Sequence, residues 1–191
     1  MNIFARSPVR PVPRRDQRRR SRLTVRRRPG HPTKGWLRAF GRTLPCAIGR
    51  TGTVMIKREG DGATPIGAMA LLGGRKRRDR VRAGPLAFPL GPIAPDDGWC
   101  DALGDRNYNR PVTRPYGASH EAMWRDDRLY DVVLVMDHNV TRRMTRGGSA
   151  IFFHQARPGF PSTEGCVAVS PRDMAWLLRI LRPGDVVEVR R

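Results

Sequence analysis

Gly148–Val169 reads GSAIFFHQARPGFPSTEGCVAV. Its opening, Ser149–Phe153 (SAIFF), is short, apolar and aromatic and follows Gly147-Gly148, which predicts a buried strand. His154 stands at the end of that strand, and a histidine on a rigid element is held in place, as a general base must be. Arg157–Thr163 (RPGFPST) carries two prolines and a glycine and predicts a loop. Cys166 comes twelve positions after His154, directly behind Gly165. A cysteine is a sluggish nucleophile until it becomes a thiolate, and an adjacent histidine promotes that ionisation. The spacing suggests a cysteine acyl-transfer enzyme whose base and nucleophile are joined by one loop. Gly165 permits a tight turn in which the N–H groups of Glu164, Gly165 and Cys166 converge into an anion-binding nest, as an oxyanion hole requires.

A second segment, Lys57–Met69 (KREGDGATPIGAM), lies about a hundred residues upstream. Together, in this order, HQARPGFPSTEGCVAV and the acidic-Gly-Asp-x-x-Thr-Pro-x-Gly run resemble the two recurrent motifs of the YkuD-like L,D-transpeptidases, over roughly Leu23 to Val189. The resemblance implies a mostly β domain, a YkuD-like β-sandwich, and no metal or organic cofactor. It implies Cys166 as nucleophile, His154 as base and Gln155 as the residue whose backbone carbonyl orients that base. It implies the amides of Glu164, Gly165 and Cys166 as the oxyanion hole. The chain departs from the family pattern twice. Glu164 stands where a second histidine is usual, which puts a charge at the site mouth. Val167-Ala168-Val169 stands where an arginine often follows the cysteine, so another arginine, Arg157 or Arg110, would have to hold the donor's carboxylate.

The resemblance further implies peptidoglycan stem peptides as substrate. It also implies work outside the cytoplasmic membrane, in the periplasm or cell envelope. An L,D-carboxypeptidase, which resolves the same acyl-enzyme with water, is the alternative within enzymes. Net charge is +20 over 191 residues, and eleven arginines oppose Asp16 alone in the first thirty. About half of the excess therefore belongs to the body, which would draw in polyanions. A basic nucleic-acid-binding protein is the alternative from another class. However, the cations are not interleaved with aromatics on a recognisable module, so no specific nucleic acid is expected. No run reaches the roughly eighteen apolar residues of a membrane span. Arg18–Leu23 (RRRSRL) looks superficially like a twin-arginine signal, but neither an apolar region nor a cleavage site follows, and no signal peptide is readable.

Residues 1–20 are rich in Arg and Pro and read as a disordered basic extension, with residues 21–191 as the catalytic domain. Arg22–Arg27, Gly35–Phe40, Thr43–Ile48 and Thr53–Lys57 predict an opening meander, Gly67–Leu72 and Asp185–Val189 further strands, and Leu129–Asp137 (LYDVVLVMD) a buried one. Gly84–Pro95 is too proline-rich for a central strand and reads as an extended loop that caps the site. Pro171–Leu181 predicts the one clear helix, near the C-terminus, with Ser170 as N-cap and Met174, Leu177, Leu178 and Leu181 on one face. Trp99, Asn107, Tyr108 and Arg110 fall in polar, aromatic runs that suggest substrate binding. His138, in Asp137-His138-Asn139, reads first as a turn residue and second as a residue lining the site. Glu59–Gly62 reads as a structural turn near the site. Cys46 and Cys100 read as buried thiols, and no Cys/His cluster has zinc spacing.

Overall fold

The computed structural model describes residues 20–82 and 84–191. Nearly all of the expected N-terminal extension lies outside the described residues. Fourteen strands and one helix follow one another as β1 Arg22–Arg28, β2 His31–Ala39, β3 Arg42–Ala47, β4 Thr53–Val54, β5 Thr64–Pro65, β6 Gly67–Lys76, β7 Leu90–Pro92, β8 Asp97–Cys100, β9 Arg110–Thr113, β10 His120–Ala122, β11 Val132–Met136, β12 Phe152–Gln155, β13 Val167–Val169, α1 Pro171–Leu177 and β14 Val186–Arg190. The fold is mostly β with a single helix, as the sequence implies.

The opening meander follows from period-two patterning. Leu23 and Val25 of β1, Leu37 and Ala39 of β2, and Leu44 and Cys46 of β3 are buried, with exposed or half-buried residues between most of them. Phe40 and Gly41 both take positive φ, 48° and 77°, the combination a tight two-residue hairpin needs. The main sheet runs β11-β12-β13-β3-β2-β1-β14-β6-β7, and β6 also pairs with β11. Eight strands therefore close on themselves, with β7 as an added edge strand. The expected sandwich of two facing sheets is, in its hydrogen bonding, a barrel-like ring. Long β6 makes the closure, giving its first half to β14 and its second half to β11.

Two cores result. The first fills the ring with Leu23, Leu37, Leu71, Leu134, Phe153 and Val187, and α1 adds Met174 and Leu177. Leu178 and Leu181, just beyond the helix, belong to the same cluster. The helix starts where Ser170 Oγ accepts the amide of Asp173 at 3.1 Å. It is α-helical to Leu177, and looser turns carry the chain to Leu181. The second core lies on the other face of β11 and β12, where Val133, Val135 and Phe152 meet Trp99, Met123 and Tyr130. The small sheet β10-β8-β9 covers it. Both faces of β11 are thus buried, which explains why Val132–Met136 is an unbroken apolar run.

Most of the Gly84–Pro95 segment packs away from the site, and only Ile93 joins the second core beside Cys166. Its Phe88 is fully buried in the first core, the amides of Ala87 and Phe88 both reach the Leu178 carbonyl at 3.1 Å, and Leu90–Pro92 pairs in parallel with β6. The prolines confine it to an edge, and the edge it occupies seals the ring beside the helix.

Candidate active site

Strand alternation decides which side chains meet. On β12, Phe153 points into the ring, so Phe152 and His154 face the second core. β13 runs parallel to β12, with Phe153 opposite Val167 and His154 opposite Ala168. A parallel pair needs a crossover, and residues 156–166 supply it. Cys166, one residue before β13, therefore emerges beside Phe152 on the face that carries His154. His154 Nδ1 lies 2.8 Å from the carbonyl oxygen of Gln155. A carbonyl only accepts, so Nδ1 carries the proton and Nε2 keeps its lone pair. The Cys166 thiol accepts the amide of Phe152 at 3.3 Å and donates to the carbonyl of Ala150 at 3.2 Å. Ala150 sits at φ 53°, a conformation that a non-glycine residue rarely adopts.

Both groups are buried, and burial dominates their chemistry. It pushes the Cys166 thiol up to about 12, with the Glu121 carboxylate adding to the rise. The Phe152 amide and the Lys57 cation oppose the rise. Burial likewise brings His154 down to about 4, partly offset by the Gln155 carbonyl. The resting pair is a neutral thiol and a neutral imidazole. Such an imidazole can accept a proton, and such a thiol stays protonated near neutral pH.

The turn before the cysteine is locked from two sides. Thr163 Oγ1 accepts the Gly165 amide at 3.2 Å and donates to the Cys166 carbonyl at 2.7 Å. Thr64 Oγ1 donates to the same carbonyl at 3.3 Å and accepts the Gly49 amide at 2.8 Å. Thr64 is fully buried, so the distant Thr-Pro motif serves here as a brace for the Cys166 backbone. Gly165, at φ 131°, has the Ala63 carbonyl oxygen 2.8 Å from where a Cβ would be. Of the three amides expected to form an oxyanion hole, that of Gly165 is engaged by Thr163. Those of Glu164 and Cys166 have no acceptor among the described residues. The Glu164 carboxylate is exposed and takes Arg50 Nε at 2.8 Å. The Lys57–Ala63 turn is tied by Asp61, which accepts the amides of Arg58 and Ala63 at 2.7 and 2.9 Å and pairs with the buried Lys57.

The remaining candidates lie around this centre. Trp99 packs edge-on to Phe152 at 5.1 Å, and Tyr108 is buried with its hydroxyl on Glu59. Asn107 Nδ2 reaches the Tyr116 hydroxyl at 2.9 Å. Arg110 is half-buried, its Nε without a partner among the described residues. Arg157 pairs with Asp127 at 2.7 Å. His138 Nε2 lies 2.8 Å from the Gly147 carbonyl, and burial lowers its pKa.

Sequence reasoning missed two features. Asn109 is fully buried: its Oδ1 accepts Trp99 Nε1 at 2.9 Å and the Ala150 amide at 3.1 Å, and its Nδ2 reaches the His138 carbonyl at 3.2 Å. It lies inside the run read as substrate-binding, and nothing local marks it as a clamp. Tyr130 meets His154 edge-on at 5.3 Å, and its hydroxyl donates to the Glu121 carboxylate at 2.7 Å. Burial raises both of their pKa values.

The profile of the YkuD family, described as the L,D-transpeptidase catalytic domain, matches residues 20–189. The chain belongs to this family. No curated protein matches this YkuD domain in sequence. Among solved structures it is similar to an L,D-transpeptidase from Mycobacterium tuberculosis H37Rv, at 12% identity and a TM-score of 0.45, covering 90% of this chain and 58% of that one. A second, from Stackebrandtia nassauensis, gives 13% identity and 0.41, covering 91% and 57%. A third, from Xylanimonas cellulosilytica, gives 17% and 0.39, covering 95% and 64%. The chain thus spans less than two thirds of each of these structures. Among the described residues, no group of three or more His, Cys, Asp or Glu side chains is arranged to hold a metal ion. No described helix is long and apolar enough to cross a membrane.

Proposed function

We propose that residues 21–191 form a peptidoglycan L,D-transpeptidase domain that works in the cell envelope by cysteine acyl transfer. One observation carries the reading: the thiol of Cys166 and the imidazole of His154 share one buried face, and the proton-bearing nitrogen of the imidazole is fixed on the Gln155 carbonyl. As Cys166 Sγ attacks a stem-peptide carbonyl, a sulfur–carbon bond forms and the thiol proton passes to His154 Nε2. The amides of Glu164 and Cys166 are the donors available to the oxyanion, and such a donor is worth ~3–4 kcal/mol. The carbon–nitrogen bond then breaks, and His154 returns the proton to the departing amine of the terminal D-amino acid. An amine of a second stem next attacks the thioester. It loses a proton through His154, and the thiol is released with a crosslink formed.

The neutral resting pair fits this order. A raised thiol pKa protects Cys166 until a substrate displaces its hydrogen bond to Ala150. The deciding experiment is incubation with purified tetrapeptide-bearing muropeptides and mass spectrometry of the products. Crosslinked dimers that vanish in Cys166→Ala are expected. Shortened monomers alone would make the domain an L,D-carboxypeptidase, and unchanged substrate would overturn the assignment.

A further inference from the structure

A groove of about 380 Å³ runs between the Gly104–Tyr108 turn and the Thr141–Thr145 loop, lined among others by Asp105, Arg106, Tyr108, Arg142 and Arg143. A chain of bonded neighbours leads from it toward the thiol. Tyr108 lines it, the next residue, Asn109, holds the Ala150 amide, and the Ala150 carbonyl holds the thiol proton.

The loop forming one wall is built from within. Asn139 Nδ2 reaches the carbonyls of Met144 and Gly148 at 2.9 and 3.0 Å, and its Oδ1 accepts the Met144 amide at 2.6 Å. Asp137 accepts the amide and hydroxyl of Thr141 at 3.1 and 2.9 Å. These inward bonds hold Arg143 in a left-handed conformation, φ 50°, and leave Arg142 and Arg143 at the surface. On the facing wall, Asp105 is already occupied, one carboxylate oxygen accepting the Asn107 amide and the Tyr116 hydroxyl, both at 2.7 Å.

Several of the other arginines near the site are already paired. Arg157 and Arg125 share Asp127, and Arg50 holds Glu164. Arg106, Arg142 and Arg143 form no ion pair among the described residues, so the groove offers three guanidiniums against one engaged carboxylate. A guanidinium fork matches a carboxylate in shape as well as charge.

We propose that this groove binds the free carboxylates of the acyl-donor peptide, and that Arg106, Arg142 and Arg143 select a carboxylate-ended donor over its carboxamide. The inference rests on the transpeptidase reading above. It assigns the carboxylate-holding part to a loop far in sequence from the position after Cys166.

The test uses the full chain carrying Cys166→Ala, which cannot form a thioester. The probes are two synthetic tetrapeptides ending in D-alanine, one with a free C-terminal carboxylate and one with a C-terminal carboxamide. Calorimetry should find the carboxylate peptide bound about tenfold more tightly, with a preference that shrinks as salt rises. Adding Arg142→Gln and Arg143→Gln should erase the preference. Arg106→Gln, on the opposite wall, should reduce it while leaving the 141–145 loop unaltered. Equal binding of the two peptides, or a preference that survives all three substitutions, overturns the groove assignment. Turnover with Cys166 intact separates the two readings. Equal turnover of both peptides leaves the transpeptidase reading standing without the groove, whereas no binding and no turnover of either peptide removes both.

Discussion

At Cys166 the protein holds a thiol in its least reactive, protonated form. Burial, reinforced by Glu121, pushes the thiol up to about 12. Without substrate, the thiolate fraction should then rise about tenfold per pH unit from about pH 7 to about pH 11. Iodoacetamide labelling of Cys166, followed by mass spectrometry, should track that slope. A plateau by about pH 9 would mean that the resting site holds a thiolate. Gly165→Ala provides a second test. A Cβ there meets the Ala63 carbonyl at 2.8 Å and the backbone needs φ 131°, so the turn must shift. Loss of activity by orders of magnitude is expected, with a stability loss of about 1–3 kcal/mol by thermal denaturation. Both residues were legible in the sequence because a Gly-Cys pair behind a His-bearing strand is a local pattern. The partner of Glu164 was not legible. Arg50 is over a hundred residues away, and the ion pair leaves Glu164 little free charge to offer an incoming amine. Glu164→Gln should therefore change the crosslink-to-hydrolysis ratio by less than about twofold, since exposed pairs contribute little. A marked shift toward hydrolysis would give Glu164 a role in amine binding.

At the scale of elements, the longer ring strands and the helix announce themselves. The small sheet does not. β1 to β3 alternate over six to nine residues, and α1 carries Ser, Pro and Asp at its start. β8, β9 and β10 have only three or four residues each, too few for a period to register. Their polar, aromatic runs look like exposed substrate-binding loops, yet Trp99 and Tyr108 are buried. Ring closure through β6 and β11 is likewise a long-range pairing that no local pattern encodes. Asn109 joins the small sheet to the strand that carries His154. Asn109→Ala leaves the Trp99 and Ala150 N–H groups without their acceptor, a loss of about 2–4 kcal/mol by urea denaturation. The left-handed Ala150 depends on that acceptor, so activity should fall further than the unfolded fraction explains. Activity falling only in step with stability would make Asn109 a packing residue alone.

Across the whole molecule, buried neutral groups set a pH window for stability. His154 titrates near 6.5 in the unfolded chain and is brought down to about 4 in the fold, so the unfolded state binds its proton first. Its contribution is complete above about pH 6.5 and fades as pH falls through about 4, a loss of about 3 kcal/mol. Below that, burial would raise the Asp61 carboxyl, but its hydrogen bonds and Lys57 bring it down, and Arg125 holds Asp127 down, so both deepen the acid loss. The alkaline limb runs the other way. Burial pushes Cys46 and Cys166 from 9.0 up to about 12, so the unfolded state loses these protons first. Their contributions are complete below about pH 9 and fade toward about pH 12, each about 4 kcal/mol at full ionisation. Tyr130, raised well above its usual range by burial, steepens the same limb. Stability should therefore peak between about pH 6.5 and about pH 9, far below the sequence pI of 11.6. Urea midpoints measured across the range should trace that dome. His154→Gln should flatten its acid shoulder between about pH 6.5 and about pH 4, and the pair Cys46→Ala with Cys166→Ala should flatten the alkaline one. A midpoint that stays constant from about pH 9 to about pH 11 in the unsubstituted protein would mean that neither thiol is buried in the way the fold requires.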